Sequence, residues 1–314
     1  MTKTRVVFST DVHGSEMFWM KWLRSGEYYN ADIIIMSGDL TGKAIVPIIE
    51  QNGKFSCEYL GHKHIIKEEK KLQEIINDIR LKGLYPYVCT LAEARELQRE
   101  EKKLEQLFRN LMVECIEKWL GYVDQIVDKR IRVLVNPGND DIFEIDEIIK
   151  ESDRTIYPLN RVVQLDDKHE MISCEWVNPT PWDSPRECSE KELKKKLERE
   201  FCRIEDYENL VCNFHAPPFD TNLDVAPMLD KRLEQKTMLG TPLTDHVGSK
   251  AVKEIILEKH PLLSLHGHIH ESPGMQKLGR TICLNPGSRY ISGVLSAYVI
   301  DFTREKINHW FISE

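Results

Sequence analysis

The chain has 314 residues, enough for one large α/β domain with a full core or for two smaller ones. Hydrophobic residues at 41% and charged residues at 30% fit an ordinary soluble globular protein, and a net charge of -8 disfavours a broad basic face for nucleic acid. No apolar run approaches the ~20 residues of a membrane span, and the N-terminus enters a strand with no signal-like region, so a cytoplasmic protein without a membrane partner is expected.

In chain order, 5–9 and 33–36 are short, β-branched runs that end at polar residues or Gly, the pattern of buried strands. Helical spacing over 16–23 lies between them. The next such run, 131–135, comes late: Asn139 lies 100 positions after Asp39, where a βαβ crossover needs roughly 30. The surplus has its own pattern. Runs at 44–50 and 54–60 flank Asn52-Gly53, a strong two-residue hairpin signal. Leu72, Ile75, Ile76 and Ile79 recur at helical spacing. After a break at 83–86, Thr90 and Glu93 make a capping box that opens a long charged helix with Leu97, Leu104, Leu107, Leu111 and Trp119. Residues 43–128 therefore read as an inserted hairpin plus helical subdomain of a single 1–314 domain: a structural appendage, a cap over a crevice, or an arm for homo-oligomerisation.

Further on, 161–165 with 170–176 and 294–302 with 306–312 look like antiparallel hairpins, while 210–214, 262–265 and 281–284 read as buried strands. Helices are expected at 190–204, where Ser189 and Glu192 form a capping box, and at 250–258. The eight cysteines are scattered with no CxxC pair, and several sit in apolar runs, which reads as buried free thiols in a reducing compartment.

Five polar fragments stand just past these runs: Asp11-Val12-His13, Gly38-Asp39, Gly138-Asn139, His215 and Gly267-His268-Ile269-His270. Alone, each occurs by chance. In order, at the strand ends of one α/β sheet, they converge on a single crevice. Imidazole and carboxylate suit transition-series divalent ions, and two ions ~3.5–4 Å apart clamp a phosphoryl group and acidify a shared water. A short carboxylate after a glycine, Asp39, suits a bridge between two ions; Asn139 offers a neutral oxygen. His268 and His270, two apart, would face the same way in extended chain. His62, His64, His169, His246, His260 and His309 read as structural histidines.

This series resembles the calcineurin-like metallophosphoesterase superfamily, whose pattern is Asp-x-His, Gly-Asp, Gly-Asn-His-Asp/Glu, His, Gly-His-x-His. The likeness covers residue 5 to about residue 300, except the insertion. It implies a four-layer α-β-β-α sandwich of two mixed sheets. It implies Asp11, His13 and His270 as ligands of a first metal, Asp39 as the bridge, and Asn139, His215 and His268 as ligands of a second. The cofactors would be two divalent metal ions, manganese first among Mn, Fe, Zn, Ni and Mg. In the family scheme a metal-bound hydroxide attacks phosphorus in line, with the metals and Asn139 stabilising developing charge. Three further segments look family-like: Pro179-Thr180-Pro181-Trp182 as a substrate rim, Pro217-Pro218 after His215, and Asn285-Pro286-Gly287-Ser288. Each reads equally as a rigid turn.

One position departs from the pattern. Asp140 stands where the family has a histidine beside the leaving-group oxygen. An aspartate starts near pKa 3.9, and two nearby cations push it lower, so Asp140 is expected to be a poor acid at neutral pH. Three accounts follow: another group, such as His62 or His64, supplies the proton; the leaving group needs none; or catalysis is slow or absent. With Asn139 and Asp140 as catalytic candidates, the expectation is a metal-dependent phosphohydrolase leaning to phosphodiesters. The alternatives are a metallophosphoesterase-like scaffold for protein partners and a nuclease, which the acidic balance disfavours.

Overall fold

The structure, a computed structural model, describes residues 3–230, 232–303 and 306–314. Its elements run β1 (Thr4–Thr10), α1 (Glu16–Tyr28), β2 (Ile33–Ser37), β3 (Ile45–Gln51), β4 (Lys54–Tyr59), β5 (His62–Ile66), α2 (Glu69–Leu81), β6 (Tyr85–Thr90), α3 (Leu91–Arg99), α4 (Glu101–Ile126) and β7 (Arg132–Asn136). They continue with α5 (Ile145–Glu151), β8 (Thr155–Ile156), β9 (Val163–Gln164), β10 (Glu170–Cys174), α6 (Glu190–Phe201) and β11 (Leu210–Phe214). The short β12 (Val225–Pro227), β13 (Thr237–Met238), β14 (Thr241–Pro242) and β15 (Thr244–His246) form two small ribbons. The chain ends with α7 (Lys250–Lys259), β16 (Leu263–Leu265), β17 (Gly274–Leu278), β18 (Thr281–Asn285), β19 (Ser296–Phe302) and β20 (Ile307–Ser313).

Two six-stranded mixed sheets make the centre, with orders β20-β19-β1-β2-β7-β8 and β17-β18-β16-β11-β10-β9. Their facing sides share one core, in which Val6, Phe8, Ile33, Ile35 and Leu134 of the first sheet meet Met171, Val211, Leu263, Leu265 and Leu284 of the second. The outer face of the first sheet is covered by α1, α4 and α5 through Trp19, Trp22, Trp119, Ile116, Val123 and Ile149. The outer face of the second is covered by α6 and α7 through Leu193, Leu197, Phe201, Val252 and Ile256. This is the four-layer α-β-β-α sandwich. Strands such as β2 and β11 are buried along their whole length because they are covered on both faces, which explains their unbroken apolar runs.

In each sheet the parallel strands present their C-terminal ends on one side. β1, β2 and β7 are paired in parallel in the first sheet, and β11, β16 and β18 in the second. Loops that follow these ends therefore meet along the sandwich edge.

The segment between β2 and β7 is more strand-rich than its sequence suggests. The Asn52-Gly53 hairpin forms as β3 and β4, with Asn52 and Gly53 both at positive φ. β5 extends it, and β6 pairs in parallel with β3 to close a four-stranded sheet, β5-β4-β3-β6. The break expected at 83–86 is thus the start of a strand. Pro86 is tolerated there because β6 is an edge. This sheet has its own core with α2, made by Val46, Ile48, Tyr59, Leu72, Ile76 and Ile79. The single long helix expected after Thr90 is two helices, broken at Glu100. α3 is short and exposed, whereas the C-terminal half of α4 packs into the outer layer of the main sandwich.

Candidate metal centre

The loop after β1 carries Asp11 and His13, that after β2 carries Asp39, that after β7 carries Asn139, that after β11 carries His215, and that after β16 carries His268 and His270. The seven residues meet at the sandwich edge around two clusters. One is Asp11, His13 and His270; the other is Asp39, His215 and His268. A third grouping, His13, Asp39 and Asp140, overlaps them and brings Asp140 alongside. Within the first cluster, His13 Nε2 and His270 Nε2 lie 3.0 Å apart, and His270 Nε2 is 3.5 Å from Asp11 Oδ1. Asp39 lies between the clusters, with Oδ1 3.4 Å from His215 Nε2 and Oδ2 3.6 Å from His13 Nε2. One carboxylate oxygen faces each cluster.

The backbone here is strained. Asp11, His13, Asp39 and His268 all adopt positive φ, a conformation that costs non-glycine residues about 1–3 kcal/mol each and recurs at functional sites. His268 is the centre of a tight turn in which Ile269 N–H donates to Gly267 C=O at 2.7 Å. The two histidines therefore do not face one way along extended chain; the turn sends His268 to one cluster and His270 to the other. The close approach explains two glycines. A Cβ at Gly138 would run into Asp39, and one at Gly267 into Thr10 and the Asp11 carboxylate.

Residues outside the five fragments hold these loops in place. The buried Asp141 carboxylate accepts from Gly138 N–H (2.8 Å), Leu40 N–H (2.9 Å), Thr41 N–H (2.8 Å) and Thr41 Oγ1 (2.7 Å), so it clamps the Asp39 loop to the Asn139 loop. Asp140 N–H donates to Asp39 Oδ1 at 3.0 Å. His268 N–H reaches both Asp11 oxygens, at 3.1 and 3.0 Å. His266 Nδ1 faces the carbonyls of Phe214 and Ala216 on either side of His215, at 2.9 Å each, and burial pushes its pKa down to about 4. It is neutral and donates through Nδ1. Arg186, fully buried, binds the carbonyls of Asp141 and Ile142 and the Asp146 carboxylate from behind.

Asn139 shows the fit to a metal most directly. Its Nδ2 donates to Asp140 Oδ1 and to Ser184 Oγ, both at 2.8 Å. Ser184 in turn donates its hydroxyl hydrogen to Glu187 Oε1 at 2.6 Å, so it can only accept from Asn139. The side-chain amide orientation is thereby set, and Asn139 Oδ1 is left buried with no partner. His13 Nδ1 and both ring nitrogens of His215 are buried and without hydrogen-bond partners as well. Buried polar atoms are rarely left so, and an oxygen and ring nitrogens beside two aspartates are the donor set of a divalent transition ion.

The electrostatics agree. Burial works against ionising Asp11 and Asp39, yet the neighbouring imidazoles outweigh it: His270 and His215 hold Asp11 below its ordinary value, and His215 and His13 hold Asp39 well below. Burial holds His13 well below its ordinary value, with Lys43 adding to it, and brings His268 to about 4, so both are neutral as ligands must be. His215 goes the other way: burial opposes its charge, but Asp39 and Asp11 push it to about 9. That pair of carboxylates draws a cation to the point the His215 ring nitrogen faces.

Two neighbours were not legible in the sequence. Lys43 Nζ pairs with Asp140 Oδ2 at 3.0 Å, and that oxygen is 4.0 Å from His13 Nδ1. Tyr290 packs its ring on His13, with centroids 4.8 Å apart, and edges onto His270 at 5.8 Å. Asp140 does not sit low in this geometry. Burial and then Asp39 push it up to about 6, against the opposing pull of Lys43. His62 and His64 lie on β5 outside all the clusters formed by the described residues, and His64 stacks on Tyr59. The insertion does touch the site's support: Ser15 Oγ donates to Leu81 C=O at 2.7 Å, and Gly83 is packed against the carbonyl of His13. The Pro179-to-Trp182 segment joins through Glu187, which accepts from Thr180 N–H and from Ser184 N–H. Among the described residues no helix is long and apolar enough to cross a membrane.

Comparison with known proteins adds the following. No protein-family model matches the chain. The uncharacterized protein MJ1162 of Methanocaldococcus jannaschii is 30% identical over 179 residues, which is 56% of this chain and 71% of that protein. One solved structure aligns with 98% of this chain and 99% of its own at TM-score 0.60 and 15% identity. The protein TT1561 of Thermus thermophilus aligns over the same shares at TM-score 0.51 and 12% identity. At such identities these structural likenesses speak to the fold alone.

Proposed function

Taking as premise that the chain belongs to one family with MJ1162 of Methanocaldococcus jannaschii, we propose from its own site that the protein is a dinuclear metal-dependent phosphoester hydrolase with a preference for diesters. The observation that carries the reading is Asp39, which turns one oxygen to His215 and the other to His13 and so stands as a bridge between two ligand clusters. Asp11, His13 and His270 would hold one ion; Asn139 through Oδ1, His215 and His268 would hold the other. The chemistry that a pair of divalent ions supplies when bound is neutralisation of phosphoryl charge and acidification of water.

The protein's own groups do the rest. Asp141 and His266 fix the loops, so ligand atoms are positioned before substrate arrives, and no reorganisation is needed during reaction. Neutral His13 and His268 keep lone pairs available. Asp140 puts a carboxylate where a monoesterase of the resembled superfamily has an imidazole; burial and Asp39 raise it, but two bound cations would pull it back down and keep it ionised, which supports substrates whose leaving oxygen needs little proton assistance, diesters and activated esters above simple monoesters. Metal identity follows no feature of the donor set beyond its mixed N and O character, which suits manganese, iron, zinc or nickel.

The test is hydrolysis of bis-p-nitrophenyl phosphate with Mn²⁺. The wild-type protein should cleave it, and Asp39→Asn should abolish turnover. Undiminished turnover in Asp39→Asn would remove the bridging role and the reading with it.

A further inference from the structure

We propose that Lys43 is the cation that binds a phosphoester oxygen at this site, and that Asp140 is the residue that positions it. The inference rests on the phosphoester hydrolase reading above and adds a substrate contact to it. Lys43 Nζ is 3.0 Å from Asp140 Oδ2, which is itself 4.0 Å from His13 Nδ1, so the ammonium stands one carboxylate away from the ligand clusters. Its side chain is 48% exposed, against 27% for Asp140 and 0% for His13. A side chain enclosed in a structural ion pair would not reach solvent, and that of Lys43 does.

The backbone that carries Lys43 is held from both sides. Thr41 is bound to Asp141 by its N–H and its hydroxyl, and Gly42 N–H donates to Tyr85 Oη at 2.8 Å. Gly42 also packs against Gly83 C=O, so no larger residue fits. Lys43 is therefore presented by a turn that is held between the metal loops and the four-stranded sheet. The charge pattern argues the same way. The site gathers Asp11, Asp39 and Asp140, and Lys43 pairs with Asp140 and feels the charge of Asp39. An ammonium is a compact point donor suited to a phosphate oxygen. Asp140 at the position next to Asn139 would then serve to hold that ammonium over the crevice, which gives the residue a use other than proton donation.

The experiment measures inorganic phosphate binding by titration calorimetry with Mn²⁺ present, and Mn²⁺ uptake by elemental analysis on the same samples. Lys43→Met should weaken phosphate binding about tenfold or more with Mn²⁺ uptake unchanged, and Lys43→Arg should keep most of the affinity. Asp140→Ala should weaken phosphate binding partly, again with uptake unchanged, and Asp140→Glu should recover it. Equal phosphate affinity in Lys43→Met and wild type, both metal-loaded, overturns the assignment of Lys43 alone. Loss of metal in Asp140→Ala overturns its positioning role and makes it a ligand. No Mn²⁺ uptake by the wild type overturns the hydrolase reading and this assignment with it.

Discussion

Asn139 gives both hydrogens of its side-chain amide away, one to Asp140 and one to Ser184, and so presents a bare carbonyl oxygen to the buried site. The orientation is enforced at one remove, because Glu187 takes the one hydrogen of the Ser184 hydroxyl. Supporting contacts of this type commonly govern metal affinity by about 10–100-fold. Ser184→Ala should therefore weaken Mn²⁺ binding by about tenfold while leaving the far-ultraviolet circular dichroism unchanged. Wild-type affinity in Ser184→Ala would show that Asn139 does not depend on this relay.

Metal should also stabilise the fold. A ligand that binds only the native state adds about 2.7 kcal/mol at a free concentration 100-fold above its Kd. Differential scanning fluorimetry should show a higher Tm with excess Mn²⁺ than with EDTA, and the shift should shrink in the double variant His215→Ala, His268→Ala. A Tm indifferent to Mn²⁺ in the wild type would speak against a metal centre.

Asp141 and Asp140 are neighbours with opposite jobs. Asp141 is fully buried and satisfies three backbone N–H groups and a hydroxyl, whereas Asp140 is partly exposed. Asp141→Ala strands those donors and should cost about 3 kcal/mol or more in urea denaturation. Asp140→Ala should cost well under half as much. Similar losses for the two would mean that the clamp between the Asp39 and Asn139 loops is not what Asp141 provides.

Substrate preference should follow position 140. An imidazole there has an ordinary pKa near 6.5 and can protonate a poor leaving oxygen near neutral pH. Asp140→His should raise the rate on p-nitrophenyl phosphate relative to bis-p-nitrophenyl phosphate. If the ratio stays where it is in the wild type, leaving-group choice lies elsewhere.

Much of this was readable in the chain. Runs such as 33–36 and 210–214 are apolar at almost every position because their strands are covered on both faces, and that signal survives without any structure. The Asn52-Gly53 turn and the capping boxes at Thr90 and Ser189 are local chemistry, and all three form as their residues dictate. The strands β5 and β6 were not readable, because β5 is polar and largely exposed and β6 contains Pro86; their pairing with β4 and β3 is decided by long-range partners. The break at Glu100 was hidden for the opposite reason: strong helix formers run straight through it.

The sequence by itself determined the donor types and the loops that carry them, because sites in α/β sheets gather outside the carboxyl ends of strands and short polar fragments after apolar runs announce that. Tertiary structure alone decided that Asp39 faces both clusters, that His268 and His270 part company, and that Lys43 stands against Asp140. These arrangements depend on strained turns and on contacts between residues up to 259 positions apart, as between Asp11 and His270. Spacing along a chain carries the period of a helix or strand; it carries nothing about which loops a sandwich edge brings within one ångström-scale cluster.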